Sequence, residues 1–398
     1  MPSAPNAPAS PETGGLDLGR LLGHRARAID ASGIRKVFDL AAKLKDPINL
    51  SIGQPDFPVP ERMKQAAIDA IRENRNGYTV TQGIPELLAA IWRRLGDELD
   101  WHGSQHGLSA IVTSGTSGGL LLAFLCLLDA GDEAIVPDPY FVMYPQMGAL
   151  TTGTIVACDT YPDFRMTAER VERLITPRTK AVLVCSPSNP CGTVLSGREM
   201  RDLVDLCRGK GILLISDEIY DEFVFPDAKE DGRFPSPARW SRDVLLIRGF
   251  GKTYGCTGWR LGYAAGPHDL VQAMARLQQY SYVCAPSMAQ WGAVPAFEID
   301  MAPEVARYAA RRDLVLEAFR GIAEVPRPGG AFYAFVEVPP RLGLTATEFV
   351  HRAIERGVLV IPGNVFSRRD THFRLSFAAP EAKLKAGLAI LRELMTTA

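Results

Sequence analysis

From about residue 110 the chain repeats one unit: a short run apolar on both faces, then a segment with helical period. The runs are "AIVTS", "EAIVP", "AVLVC", "GILLIS" and "VLLIRG", and Ala168–Ile175 and Glu199–Lys210 are two of the helical segments. A strand that is apolar on both faces must be covered on both. Alternation with helices supplies that cover, so the pattern predicts an α/β fold with a mainly parallel sheet between helical layers. "RLGYAAG" reads as a further strand of it.

The flanks differ. Ahead of the block, "DPINLSIGQPDFPVPERMKQAAIDAI" reads as a strand, a Pro-rich turn and a helix. Behind it come a helical stretch at about Pro303–Ile322, "GGAFYAFVEV", a helix near Ala346–Arg356, "GVLVIPG", "HFRLSFA" and a last helix from Pro380. These read as a smaller α+β domain completed by the N-terminal segment. The expected division is a disordered tail over 1–18, the N-terminal part of the small domain over 19–60, a large domain over 61–295, and the C-terminal part of the small domain over 296–398.

Composition removes several functions. The 398 residues are enough for a large domain with a substantial core and a second one. A net charge of −1 and the lack of any basic run argue against nucleic acid. Seven cysteines without a C-x-x-C pair argue against a disulfide framework and a zinc site, and fit a reducing cytoplasm. The opening "MPSAPNAPASPETGG" lacks the charged start and apolar core of a signal peptide. "LLLAFLCLL", from Leu120, is too short to span a bilayer and reads as a buried helix. A soluble, cytoplasmic protein with no membrane or nucleic-acid partner is expected.

In open parallel sheets, ligands bind beyond the carboxyl ends of the strands. Here those ends run into Gly115-Thr116-Ser117-Gly118-Gly119, "DPYFVMY", "SPSNPCG", "DEIYDEF" and "RGFGKTYGCTGWRLGY". Gly-Thr-Ser-Gly-Gly at a helix start is an anion site, or else a plain N-cap. Lys252 belongs neither to a P-loop, which would need glycine where Leu246 stands, nor to a dinucleotide fingerprint, which would need it at Tyr254. A solvated lysine in a turn is the bland alternative. Asp217 is placed to face the pocket, whereas Glu218 reads as half of a structural ion pair. Asn189-Pro190 offers an amide with a possible cis peptide, or merely a turn. Arg260 and Arg374 lie in or beside apolar strands, where a fixed anion or a snorkelling surface position would explain them. A phosphate cradle, a carboxylate, an amine and two guanidinium groups together suit pyridoxal phosphate. Its aldehyde takes a lysine, its ring nitrogen an acid and its phosphate a helix start.

The chain from about residue 30 to 390 also resembles the class I aminotransferases of the aspartate aminotransferase fold, fold type I. Ten motifs carry the likeness in order: "LSIGQPDF", "GYTVTQGIPELLAAI", "VTSGTSGG", "PDPYFVMYP", "SPSNPCGT", "SDEIYDEFVF", "GKTYGCTGWRLGY", "GGAFY", "GVLVIPGNVF" and "FRLSFA". The resemblance implies a seven-stranded sheet in a large cofactor-binding domain, and a homodimer with the site at its interface. It implies that Lys252 forms the internal aldimine with pyridoxal 5'-phosphate and later shuttles a proton at the substrate's α-carbon. Asp217 would pair with the pyridine nitrogen; unit charges about 4 Å apart attract by roughly 4 kcal/mol at an effective dielectric near 20, about 3 pKa units. Asn189 and Tyr220 would bond the ring oxygen, and Phe141 would stack on the ring. Gly115, Thr116, Ser117 and Arg260 would hold the phosphate, with Tyr78 reaching in from a neighbouring subunit. Gly53 and Asn189 would meet the substrate, and Arg374 would clamp its α-carboxylate. The N-terminal part of the small domain would close over the substrate.

Departures from that family stand at Gly249 and Gly251, commonly serine there, at Cys191 in place of threonine and at Ser367 in place of glycine. The implied activity is a ping-pong transamination. The same residues would also serve a β-lyase, a synthase or a racemase, and a non-catalytic cofactor sensor uses the same fold. Ser117 stands where some acidic-substrate relatives have lysine, so neutral or aromatic amino acids are expected over aspartate.

Overall fold

A computed structural model describes residues 17–29, 33 and 44–397. Of the expected tail only residues 17 and 18 lie among them, and part of the 19–60 segment also lies outside. Twelve strands follow in the described residues: β1 (Ile48–Asn49), β2 (Leu108–Ser114), β3 (Glu133–Asp138), β4 (Thr154–Asp159), β5 (Thr179–Cys185) and β6 (Leu213–Asp217). Then come β7 (Val244–Gly249), β8 (Leu261–Pro267), β9 (Tyr333–Glu337), β10 (Val358–Leu359), β11 (Ile361–Pro362) and β12 (His372–Ser376).

Seven of them form one sheet in the order β2-β8-β7-β6-β5-β3-β4. β3 through β7 pair in parallel, and each apolar run of the sequence is one of its strands. β8 departs from the parallel reading: it is antiparallel to both β7 and β2. The reason is the connection. Between Gly249 and Leu261 the chain makes only two short helical turns, too little for the crossover a parallel return needs. The sheet is buried on both faces, with Ile111, Ala134, Ile215 and Ile247 on one side and Val112, Ile135, Leu214 and Leu246 on the other. The helix Gly115–Leu127 covers the first of these faces and buries Leu120, Leu122, Ala123 and Phe124. Each such side chain contributes about 1.5–3 kcal/mol when fully removed from water.

A smaller α+β part is built from both chain ends. β1 pairs in parallel with β10, Ile48 opposite Val358, and β11-β12-β9 form an antiparallel sheet. The helices Ala302–Phe319, Ala346–Glu355 and Glu381–Thr396 pack beside them. Two helices are shorter than the periodicity predicts. The first ends at Glu172, after which the amides of Leu174 and Ile175 bond three residues back, to Val171 and Glu172, instead of four; the other ends at Phe319, ahead of Gly321 with φ +71°.

Candidate active site

The carboxyl ends of β2, β5, β6 and β7 open onto one cavity, and the start of β8 reaches the same edge, with Leu261 opposite Ser114. The cavity is lined by Gly115, Thr116 and Ser117 from the first of these junctions and by Asn189, Asp217, Tyr220 and Lys252 from the next three. Phe141, Gly53, Arg260 and Arg374 complete the set, so eleven of the twelve residues expected from the sequence come together. The twelfth, Tyr78, is 89% exposed and does not line this cavity.

The anion cradle is made by close backbone approach. Gly115 has φ +66°, and a Cβ there would lie 2.8 Å from Nη2 of Arg260. Glycine therefore lets the guanidinium sit against the start of the helix Gly115–Leu127. Ser114, the residue before that helix, gives it no side-chain cap, so the amides of the first turn face the cavity uncapped and carry the positive end of the helix dipole. At Gly249 a Cβ would lie 2.7 Å from Cδ1 of Ile219 and 3.0 Å from Cγ2 of Thr116. Ile219 and Thr116 thus occupy the room a side chain at 249 would need.

Lys252 follows β7 in a four-residue helix, and its Nζ donates to the carbonyl oxygen of Gly53. Burial, then the charges of Arg374 and Arg260, push its ammonium down to about 8. Asp217, the last residue of β6, is 3% exposed. Its Oδ2 accepts from the Tyr144 hydroxyl at 2.7 Å and its Oδ1 from the amide of Ile219 at 3.3 Å. Burial raises its carboxyl to about 6 against the pull of these bonds. The adjacent Glu218 points to the other face of the strand and pairs with Nε of Arg248 at 2.8 Å, both side chains buried. The two neighbouring carboxylates are thereby divided as the sequence suggests: one in an ion pair, one facing the cavity with hydrogen-bond donors but no cation.

On the opposite wall, Arg374 projects from β12. It donates from Nη1 to Oδ1 of Asn189 at 3.0 Å and from Nη2 to the carbonyl of Ser51 at 2.8 Å. Its guanidinium lies between the rings of Tyr333 and Phe366, 4.6 and 4.5 Å from their centroids. Because Oδ1 of Asn189 is engaged, its Nδ2 remains as a donor. The Asn189–Pro190 bond is cis. Tyr220 and Tyr333 share a hydroxyl–hydroxyl hydrogen bond of 3.1 Å.

Tyr144, Tyr333, Cys185, Ile219 and Thr257 line the cavity without having been singled out in the sequence. Tyr144 lies three residues after Phe141, one helical turn on, and the rings meet edge-to-face at 5.8 Å. That spacing was the available signal. Tyr333 opens β9, and its hydroxyl packs 2.6 Å from where a Cβ on Gly53 would stand.

A buried carboxylate without a cation, an amine of lowered pKa and an uncapped helix start beside an arginine match three separate parts of pyridoxal phosphate: its ring nitrogen, aldehyde and phosphate. With the strand order, this cavity defines a pyridoxal-phosphate enzyme of fold type I. The family model for class I and II aminotransferases matches residues 45–391. The aspartate/prephenate aminotransferase of Thermus thermophilus is 35% identical over 390 residues, covering 93% of this chain and 97% of that protein. The aspartate aminotransferase of Rhizobium meliloti is 36% identical, covering 92% of this chain and 93% of its own. The solved aspartate aminotransferase of Thermotoga maritima superposes with a TM-score of 0.87 at 32% identity, over 94% of this chain and all of that one. The chain belongs to the class I and II aminotransferases and is a transaminase that takes pyridoxal phosphate as its cofactor. Among the described residues no helix is long and apolar enough to cross a membrane.

Proposed function

We propose that the chain moves the amino group of an L-amino acid, neutral or aromatic in preference to aspartate, to a 2-oxo acid in two half-reactions. The observation that carries the preference is the count of cations. Three basic side chains line the cavity: Lys252, Arg260 and Arg374. Arg260 lies against the phosphate cradle, Lys252 is the reactive amine, and Arg374 offers the fork for an α-carboxylate. Among the described residues of one chain none remains for a second carboxylate, and Ser117 supplies only a hydroxyl.

Pyridoxal phosphate, when bound, supplies an aldehyde carbon and a protonated ring that takes up the electron pair left at the substrate's α-carbon. The chain does the rest. Lys252, whose ammonium is pushed down to about 8, would hold and return the proton at the substrate's α-carbon. Asp217, oriented by Tyr144, holds the ring-nitrogen proton. Nδ2 of Asn189 and the Tyr220 hydroxyl would donate to the ring oxygen, and Phe141 would cover the ring. Gly115, Thr116, Ser117 and Arg260 hold the phosphate. Gly53 faces the substrate with its backbone.

Exposed apolar side chains support a homodimer in which Tyr78 serves the neighbouring site. Tyr78 and Val80 stand 89% and 61% exposed on a segment tied by Gln278 and Gln290 to the region of Tyr280, itself 89% exposed. The N-terminal part of the small domain would close over the substrate.

The test is an amino-acid panel against the purified holoenzyme, read by absorbance. Conversion of the cofactor to its amine form by phenylalanine or a neutral amino acid, restored by a 2-oxo acid, supports the reading. A kcat/KM for aspartate well above that for every neutral and aromatic amino acid overturns the preference. Release of ammonia, or loss of optical activity without exchange, overturns transamination by this site.

A further inference from the structure

We propose that Ser367 and Tyr161 form a positioning pair that holds Arg374 from behind, tying the segment that leads into β12 to the strand ends of the main sheet. The proposal rests on the reading of Arg374 as the clamp for the substrate's carboxylate.

The Tyr161 hydroxyl donates to Oγ of Ser367 at 3.0 Å, and the amide of Arg369 donates to the same oxygen at 3.1 Å. Ser367 is 3% exposed, so this hydroxyl is a built acceptor and not a solvated one. It stands where glycine is common in the resembling family, and glycine offers no acceptor to a tyrosine at this place. Tyr161 follows β4 and is held on three sides. Its ring lies under the Arg369 guanidinium at 4.2 Å, and it meets Phe164 and His372 edge-on at 5.0 and 5.3 Å. Arg369 in turn pairs with Asp159, the last residue of β4.

The link to the site runs through one residue. Phe366 precedes Ser367, gives one of the two aromatic faces against which Arg374 rests, and accepts at its carbonyl from the amide of Tyr140 at 2.7 Å. Tyr140 and Tyr161 belong to the loops after β3 and β4, which are neighbours in the sheet. The serine therefore fixes one end of the segment whose preceding ring sets the height of the arginine fork. Bidentate recognition of a carboxylate depends on that placement, so a loosened segment weakens substrate binding while the chemistry at Lys252 is left alone.

The test compares wild type with Ser367→Gly, Tyr161→Phe, the double variant and Arg374→Leu. KM and kcat are measured for a reactive amino acid, pyridoxal phosphate affinity by spectral titration, and hydrogen exchange over residues 363–371 in the cofactor-free chain. Expected are an amino-acid KM raised about five- to tenfold in each single variant, as for one lost hydrogen bond, and kcat within about twofold. The double variant should be no worse than either single one. Cofactor affinity should be unchanged, and exchange over the segment should be faster in Tyr161→Phe. Unaltered KM in both single variants, strictly additive effects, or a parallel fall in cofactor affinity would each overturn the pair. If Arg374→Leu alone loses amino-acid binding, only the pair fails and the clamp stands. If Arg374→Leu binds amino acids as wild type does, the clamp reading itself fails and the pair with it.

Discussion

Tyr144 donates a 2.7 Å hydrogen bond to Oδ2 of Asp217, and both buried side chains line the cavity. The carboxylate is held ionisable by two donors and by no cation, so its partner has to come with the cofactor. Removing the hydroxyl weakens the ionised form. Tyr144→Phe is expected to reduce pyridoxal phosphate affinity by about 1.5–3 kcal/mol, the worth of a hydrogen bond to a charged group, or roughly 10- to 150-fold. Spectral titration against wild type checks it, and an affinity within threefold of wild type would count against the role.

The amine of Lys252 titrates near 8 in the fold, against 10.5 for an ordinary lysine. Capture of the cofactor's aldehyde needs the neutral amine, so its rate in the cofactor-free chain should climb about tenfold per pH unit below 8 and level above it. Arg374→Leu removes the neighbouring charge that acts more strongly on Lys252 and should move the bend to higher pH. Rapid-mixing absorbance across pH 6–10 reads both.

Stability of the cofactor-free chain should carry two opposed signs. Asp217 keeps its proton up to about 6 when folded but loses it near 3.8 when unfolded, so it lowers stability as pH rises through that window. Lys252 gives up its proton near 8 when folded and near 10.5 when unfolded, so it raises stability between those values. Thermal melts of Asp217→Asn and Lys252→Met beside wild type should each lose one of these slopes.

At Gly249 the missing side chain is matched by filled space. Gly249→Ser could restore a phosphate hydrogen bond of about 1.5–3 kcal/mol, but it must displace the Ile219 methyl, and overpacking costs about 1–3 kcal/mol. The single variant is therefore expected to bind pyridoxal phosphate nearly as wild type does. Gly249→Ser with Ile219→Val, which removes Cδ1, should bind it about tenfold more tightly. Equilibrium titration of all three proteins distinguishes this from a pocket indifferent to residue 249.

If Tyr78 serves a neighbouring site, Tyr78→Phe should weaken pyridoxal phosphate but leave pyridoxal, which lacks the phosphate, unaffected. Tyr280→Asp should shift sedimentation towards monomer and lower cofactor affinity with it. A monomeric wild type would remove the premise.

Much of this site was legible in the chain because an open sheet collects its loops at one edge. Lys252, Asp217, Asn189 and the Gly115–Ser117 turn each follow an apolar run directly, and the rule about strand ends brings them together. The tyrosines were harder. Tyr144 and Tyr333 sit in apolar surroundings where an aromatic ring is ordinary core, and their partners, Asp217 and Tyr220, lie far along the chain. The direction of β8 was hidden for another reason: an apolar run reads alike whichever way it points, and only the length of the connection decides. Arg248, the partner of Glu218, comes 30 residues later on the neighbouring strand, beyond the reach of any local pattern.

The pairing of β1 with β10 joins the two ends of the chain, and Arg374 closes on the carbonyl of Ser51 just beyond β1. During synthesis the whole cofactor wall, from Thr116 to Arg260, leaves the ribosome well before that arginine exists. Domains fold as units from the N-terminus onward, so a nascent chain can acquire the means to hold its cofactor before it can grip an amino acid. Ile48, Asn49 and Ser51 are made long before Val358, Leu359 and Arg374, the partners they meet in the fold.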